Sequence, residues 1–153
     1  MNLKALILLF CLTFFCWSTY SQDVVKFQQL RGENVPTQSI TYAIDQDSSG
    51  NIWIASEEGV LKHNSQFYTI YNSYKGLPSN TNNRIKEVFV DSKNQVWIGT
   101  EKGVCLYNKD LDVFEFVNQK DDLNPALVNT IIEDENNVIW VGAFNGLWRC
   151  DSN

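Results

Sequence analysis

Asp45 and Asp47 open the run Asp45-Gln46-Asp47-Ser48-Ser49-Gly50-Asn51-Ile52, the first place in the chain where residue types and spacing suggest chemistry. Acids at alternate positions, then hydroxyls, a glycine and an aliphatic residue resemble the start of a calcium loop, where hard oxygens surround a hard cation. That chemistry also needs a bidentate glutamate at the twelfth position. Counted from Asp45, the twelfth residue is Ser56, and Glu57 falls one late. Other chemistries have less support. G-x-S-x-G, H-E-x-x-H, the P-loop and G-x-G-x-x-G are all absent from the sequence. Glu57, Glu58, Asp110, Asp112, Asp121 and Asp122 fall in loops or at strand ends, where acids are ordinarily solvated. No catalytic residue, metal or cofactor is expected.

The elements that hold Asp47 explain it better. Asp47, Asp91 and Asp134 recur at spacings of 44 and 43. Three residues after each come Gly50, Asn94 and Asn137, and six after come Trp53, Trp97 and Trp140. Twelve after come Gly59, Gly103 and Gly146, and three before come Ile44, Val88 and Ile131. The equivalents of Asp45 are Phe89 and Ile132, which cannot bind a cation, so the calcium reading does not survive the repeat. Short β-branched or aromatic runs lie between turn residues at 41–47, 51–56, 59–63 and 66–71. The second copy repeats them at 85–91, 95–100, 104–108 and 113–117, and the third at 128–134, 138–143 and 146–150. Four strands per unit of this length is a β-propeller blade. The aspartates are expected to accept hydrogen bonds from the turn that follows. Gly50, Asn94 and Asn137 are expected at positive φ. The tryptophans are expected to pack on the neighbouring blade.

The pattern D-x-x-G/N-x-I/V-W-I/V-G/A-T/S-x-x-G-V/L resembles the two-component regulator propeller repeat. Phe67 to Tyr71 followed by Gly76-Leu77-Pro78-Ser79-Asn80 is similar to that family's connector, and Phe114 to Leu127 is a looser copy. Residues 24–30 resemble the lone outer strand that opens such domains and closes their last blade. The resemblance covers essentially all of 23–151. It implies the N-terminal periplasmic sensor region of a hybrid histidine kinase of Bacteroidetes type, built on seven-bladed propellers and often responsive to glycan fragments. The membrane helix, phospho-acceptor histidine region and ATP-binding motifs of that plan have no counterpart here. The single histidine, His63, has Tyr107 and Cys150 as its equivalents, so it reads as a strand residue.

Composition sets further bounds. Met1-Asn2-Leu3-Lys4, an apolar run over 5–17 and Ser18-Thr19-Tyr20-Ser21 form the three parts of a secretory signal peptide, with cleavage near Ser21/Gln22. The apolar run is shorter than the roughly 18–20 residues of a membrane span. Without residues 1–21, the 12 basic and 18 acidic residues become 11 and 18, a net charge of −7. No basic patch points to nucleic acid. Cys105 and Cys150 remain; in an oxidising compartment they could pair, but both sit at inward-looking strand positions and buried free thiols are the first expectation.

The expected architecture is all-β: a partial propeller over 22–153, with an outer strand at 24–30, blades at 40–71 and 84–117, and an incomplete blade at 127–151. That is about two and three-quarter blades of a seven-bladed ring. Blades bury their faces only against neighbours, so the missing blades or signalling domains are expected partners and the chain is expected to be a fragment. In an up-and-down blade, successive turns lie on opposite faces. The loops between second and third strands therefore share a face with the blade-to-blade connectors. Glu57, Glu58, Glu101, Lys102, Phe144 and Asn145 vary among the copies there and are the candidate ligand contacts. Asp47, Trp53, Gly59, Asp91, Trp97, Gly103, Asp134, Trp140 and Gly146 are structural repeat positions. A periplasmic or secreted, non-enzymatic binding module for a glycan or other small ligand is the first expectation. A fragment of a propeller lyase or hydrolase, and a structural scaffold, are the alternatives.

Overall fold

The structure is a computed structural model, and it describes residues 25–29, 39–117 and 125–150. The signal peptide expected over 1–21, and the blade-to-blade segments at 34–38 and 119–124, lie outside the described residues. Among the described residues, eleven strands run in three antiparallel sheets. The first contains β1 (Thr41–Gln46), β2 (Ile52–Ser56), β3 (Gly59–His63) and β4 (Tyr68–Tyr71). The second contains β5 (Glu87–Val90), β6 (Val96–Thr100), β7 (Gly103–Asn108) and β8 (Val113–Phe116). The third contains β9 (Val128–Glu133), β10 (Ile139–Ala143) and β11 (Gly146–Cys150). Within every sheet each strand pairs with its sequence neighbour. Residues 25–29 are exposed and join none of these sheets, so the outer strand expected at 24–30 is not formed over 25–29.

The sheets follow one another around an axis. β1 lies beside β5 and β5 beside β9, so the first strands of successive blades are the inner ones. Strand alternation divides each sheet into two faces. In the first blade, Ala43, Ala55, Val60 and Tyr71 are cross-strand neighbours, and so are Asp45, Trp53 and Lys62. This face meets Val88, Val96, Ile98, Cys105 and Phe114 of the second blade in one buried cluster. The opposite face of the second blade, with Trp97 and Val104, meets Ile131, Ile139 and Val141 of the third. Trp53 is 1% exposed and Trp97 7%, whereas Trp140 is only half-buried. Burying an indole of this kind removes roughly 150–250 Å² from water, about 4–6 kcal/mol at the usual transfer coefficient.

Two glycines set backbone approaches that no side chain would allow. Gly59 has φ +127°, and a Cβ there would lie 2.1 Å from the Tyr71 carbonyl oxygen. At Gly99 a Cβ would lie 2.6 Å from Cγ1 of Val128 in the next blade, so this position keeps β6 close to β9. Gly50, Asn94 and Asn137 take φ of 83°, 62° and 59°, as expected for the turn between first and second strands. Cys105 is buried and free, and burial pushes its thiol up to about 12. Cys150, expected to be buried, is only half-buried, because it sits at the rim of the last described sheet.

Candidate functional site

Each strand–turn–strand unit is closed by its aspartate. In the first blade, Asp47 Oδ1 accepts from the backbone N–H groups of Ser49 (2.9 Å) and Asn51 (3.0 Å). Its Oδ2 accepts from Asn51 Nδ2 (2.8 Å) and Trp53 Nε1 (2.9 Å). Burial acts to raise the Asp47 pKa, but these donors outweigh it and hold the carboxyl below its ordinary value. The same indole-to-carboxylate bond recurs from Trp97 to Asp91 and from Trp140 to Asp134, each at 2.8 Å. With its oxygens taken by four N–H donors, Asp47 has little capacity left for a cation. Asp45 is engaged too: Oδ1 accepts from the Gln46 N–H (2.7 Å) and Oδ2 from the Val90 N–H of the next blade (2.7 Å). The expectation from sequence covered the turn but missed the indole. The constant six-residue spacing from acid to tryptophan was the available signal.

A second device joins the turns of adjacent blades. Ser48 N–H donates to Asn94 Oδ1 at 2.6 Å, and Asn137 Oδ1 lies 3.0 Å from Ser92 Oγ. The Ser92 N–H donates to Glu133 Oε2 and its single hydroxyl proton to Glu133 Oε1, each bond 2.7 Å. Asn94 therefore combines a left-handed backbone with a clasp to the preceding blade, while in the third blade Glu133 makes that clasp. Gly50, at the equivalent position, has no side chain with which to do so.

A third cluster lies toward the outer strands. Tyr71 and Tyr107 hydroxyls both donate to Asp112 Oδ1, at 2.6 and 2.5 Å. Tyr107 and Tyr71 hold the Asp112 carboxyl below its usual range, and burial, then Asp112, pushes both phenols up.

The candidate ligand contacts sit on the face opposite the aspartate turns. The loops between second and third strands bond directly to the blade-to-blade connectors. Ile85 N–H donates to the Ser56 carbonyl (2.9 Å), Leu127 N–H to that of Glu101 (3.0 Å) and Phe144 N–H to that of Ala126 (3.0 Å). Tyr42 hydroxyl donates to Glu57 Oε1 (2.8 Å), and Arg84 Nε donates to the Tyr42 oxygen (3.2 Å) with its guanidinium 5.6 Å from the ring. Further round, Lys86 Nζ donates to Asn129 Oδ1 (3.0 Å). Glu57, Glu58, Lys102, Phe144 and Asn145 are exposed, while Glu101 is intermediate. Asn145 is partly committed to structure, since its Oδ1 accepts from Ala126 N–H and Trp148 Nε1. The sequence did not single out Tyr42, Arg84, Lys86 or Asn129. They come from first strands and connectors, and only the ring-like arrangement of blades brings them beside the loops.

Comparison with known proteins follows the geometry. The family profile described as "Two component regulator propeller" matches residues 34–58, across the entry to the first blade, β1, its turn and β2. The extracellular domain of the putative hybrid two component system BT3049 from B. thetaiotaomicron is 24% identical, with a TM-score of 0.60 over 70% of this chain and 15% of that one. At that identity the likeness is one of fold. The extracellular domain of the putative one component system BT4673 from the same organism is 29% identical, with a TM-score of 0.59 over 72% of this chain and 14% of that one. A second structure of BT4673, described as a hybrid two component system, gives 29% identity and a TM-score of 0.58 over the same shares, 72% and 14%. The chain thus spans only 14–15% of the length of these relatives. No curated protein matches it.

Proposed function

We propose that this chain, which carries two-component regulator propeller repeats, is part of the ligand-reading region of an extracellular signalling sensor and performs no catalysis itself. Its likeness to extracellular domains of such systems supports the sensor role. The observation that carries the reading is a division between faces. The aspartate turns on one face are filled by their own hydrogen bonds in all three blades. On the other face, loops that differ from blade to blade stand exposed around Tyr42, Arg84 and Lys86. Carboxylates, cations, amides and aromatic rings set side by side suit the hydroxyl-rich surface of a carbohydrate. Export to the periplasm or cell surface belongs to the same reading. The remaining blades and the signalling domain are supplied beyond the span described.

The test is a nuclear magnetic resonance titration of the full chain with a panel of neutral oligosaccharides. Amide shifts at Glu57, Glu58, Glu101, Lys102, Phe144 and Asn145 are expected, with no new sugar signals. Substituting both Glu57 and Glu101 by alanine is expected to weaken binding roughly tenfold. Shifts confined to the turns at 47–50 and 91–94, or cleavage of a sugar, count against the proposal.

A further inference from the structure

A separate cleft lies between the first and second blades, on the side of the aspartate turns. Ser49, Asn51, Trp53, Lys62, Asn94, Tyr107 and Lys109 are among its lining residues, and its volume is about 190 Å³. Pockets for drug-sized ligands run to roughly 300–1,000 Å³, so this one suits a single small molecule.

Its chemistry is one of donors. The Lys62 ammonium sits 4.9 Å from the Trp53 ring centroid and 5.2 Å from that of Tyr107. Among the described residues, neither Lys62 nor Lys109 forms an ion pair or hydrogen bond. Asn94 has its Oδ1 fixed by the Ser48 N–H, which leaves its Nδ2 free to donate. The Ser49 hydroxyl is also available. Asp47 is the one acid in the lining, and its oxygens are already occupied by four N–H donors. Asp112 stands behind Tyr107, bound by two phenols.

The repeat provides an internal control. The equivalents of Lys62 are Leu106 and Arg149, and those of Tyr107 are His63 and Cys150. Between the second and third blades, the two positions are therefore Leu106 and Cys150, and both pack against the apolar cluster there. The blade interface can thus be built without a cation at this point. Lys62 is only partly exposed, and the carboxylate its charge acts on, Asp112, is already held by two phenols, so the ammonium can take a further anionic partner. We infer that the cleft between the first and second blades binds a small molecule bearing an oxyanion, with Lys62 and Lys109 as the charge partners and Asn94 and Ser49 as neutral donors.

The site is independent of the oligosaccharide face, and the test separates the two. The full chain is titrated with inorganic phosphate, glucuronate and glucose at constant ionic strength, following the Trp53 indole and Asn94 amide signals. Saturable shifts with one or both anions, and none with glucose, are expected. Phosphate alone marks a free phosphate site, and glucuronate alone marks a hydroxylated carboxylate site. Lys62→Leu installs the residue the second blade uses at the same position. It is expected to weaken anion binding at least roughly tenfold, through loss of a charge-assisted bond. Lys62→Arg retains binding, and Lys102→Leu on the other face leaves it unchanged. If Lys62→Leu loses the dispersed Trp53 indole signal, Lys109→Ala serves as the deciding variant. Absence of shifts with both anions, or binding unaffected by the deciding variant, overturns the inference.

Discussion

Asp47 and its two copies show how much one side chain can organise. Each closes a turn through backbone N–H groups and then holds the indole of the tryptophan six residues on. Asp47→Asn would keep an acceptor for the turn but present an amide N–H₂ to the Trp53 indole and to Asn51. A buried donor left without an acceptor costs about 1–3 kcal/mol. The loss is expected to be similar for Asp47→Asn and Asp91→Asn but smaller for Asp134→Asn, because Trp140 keeps access to water. Denaturant melts of the three variants check that order. Two other acids make opposite predictions with pH. The Asp112 pKa is depressed by Tyr107 and Tyr71, so its contribution is present above the unfolded pKa and disappears as pH falls through the folded one. Asp112→Asn should therefore destabilise at neutral pH and converge with the parent in acid. Burial raises Glu87, so the fold favours its protonated form, and stability falls as pH rises past its unfolded and folded values. Glu87→Gln is expected to be neutral or stabilising at pH 7, an advantage that vanishes in acid; melts across that range would expose the reverse.

At the scale of elements, the strands were legible because turn residues and β-formers alternate with a fixed period. All eleven strands fall where that period puts them, within about two residues at their ends. The turn asparagines were legible too, through their need for positive φ. The second role of Asn94 was not. Nothing local in Asn94 says that Ser48, 46 residues earlier, will lie beside it. The same holds for Asp45 and the Val90 N–H, and for Tyr71 and Asp112. Such contacts follow from the packing angle between sheets, which sequence spacing does not encode. Asn94→Gly isolates the clasp, since glycine keeps the left-handed turn and is already the residue at position 50. It is expected to cost about 1 kcal/mol for the lost bond. An unchanged melting midpoint would show that the turns do not fasten one blade to the next.

For the whole molecule, the order of blades matters more than any one of them. Each blade covers the face of its predecessor, and among the described residues nothing covers the two outer faces of the stack. Ile44 on one end is 66% exposed, and on the other Ile132 is 55% and Leu147 72% exposed. Exposed apolar sheet faces favour association. The full chain is expected to self-associate as concentration rises, and Ile132→Lys with Leu147→Glu is expected to raise the monomer fraction in light scattering. The functional site was less legible than the fold for the same reason. The loop residues Glu57, Glu101 and Phe144 could be placed on one face by counting strands. Tyr42 and Arg84 join Glu57 only because a first strand and a connector converge at the inner edge. The stacking itself is open to one direct measurement: exchange of the indole N–H protons of Trp53, Trp97 and Trp140 with solvent deuterium in the full chain. Progressive coverage predicts slowest exchange at Trp53, faster exchange at Trp97 and fastest at Trp140. Equal protection of all three, or Trp140 slower than Trp53, would contradict it.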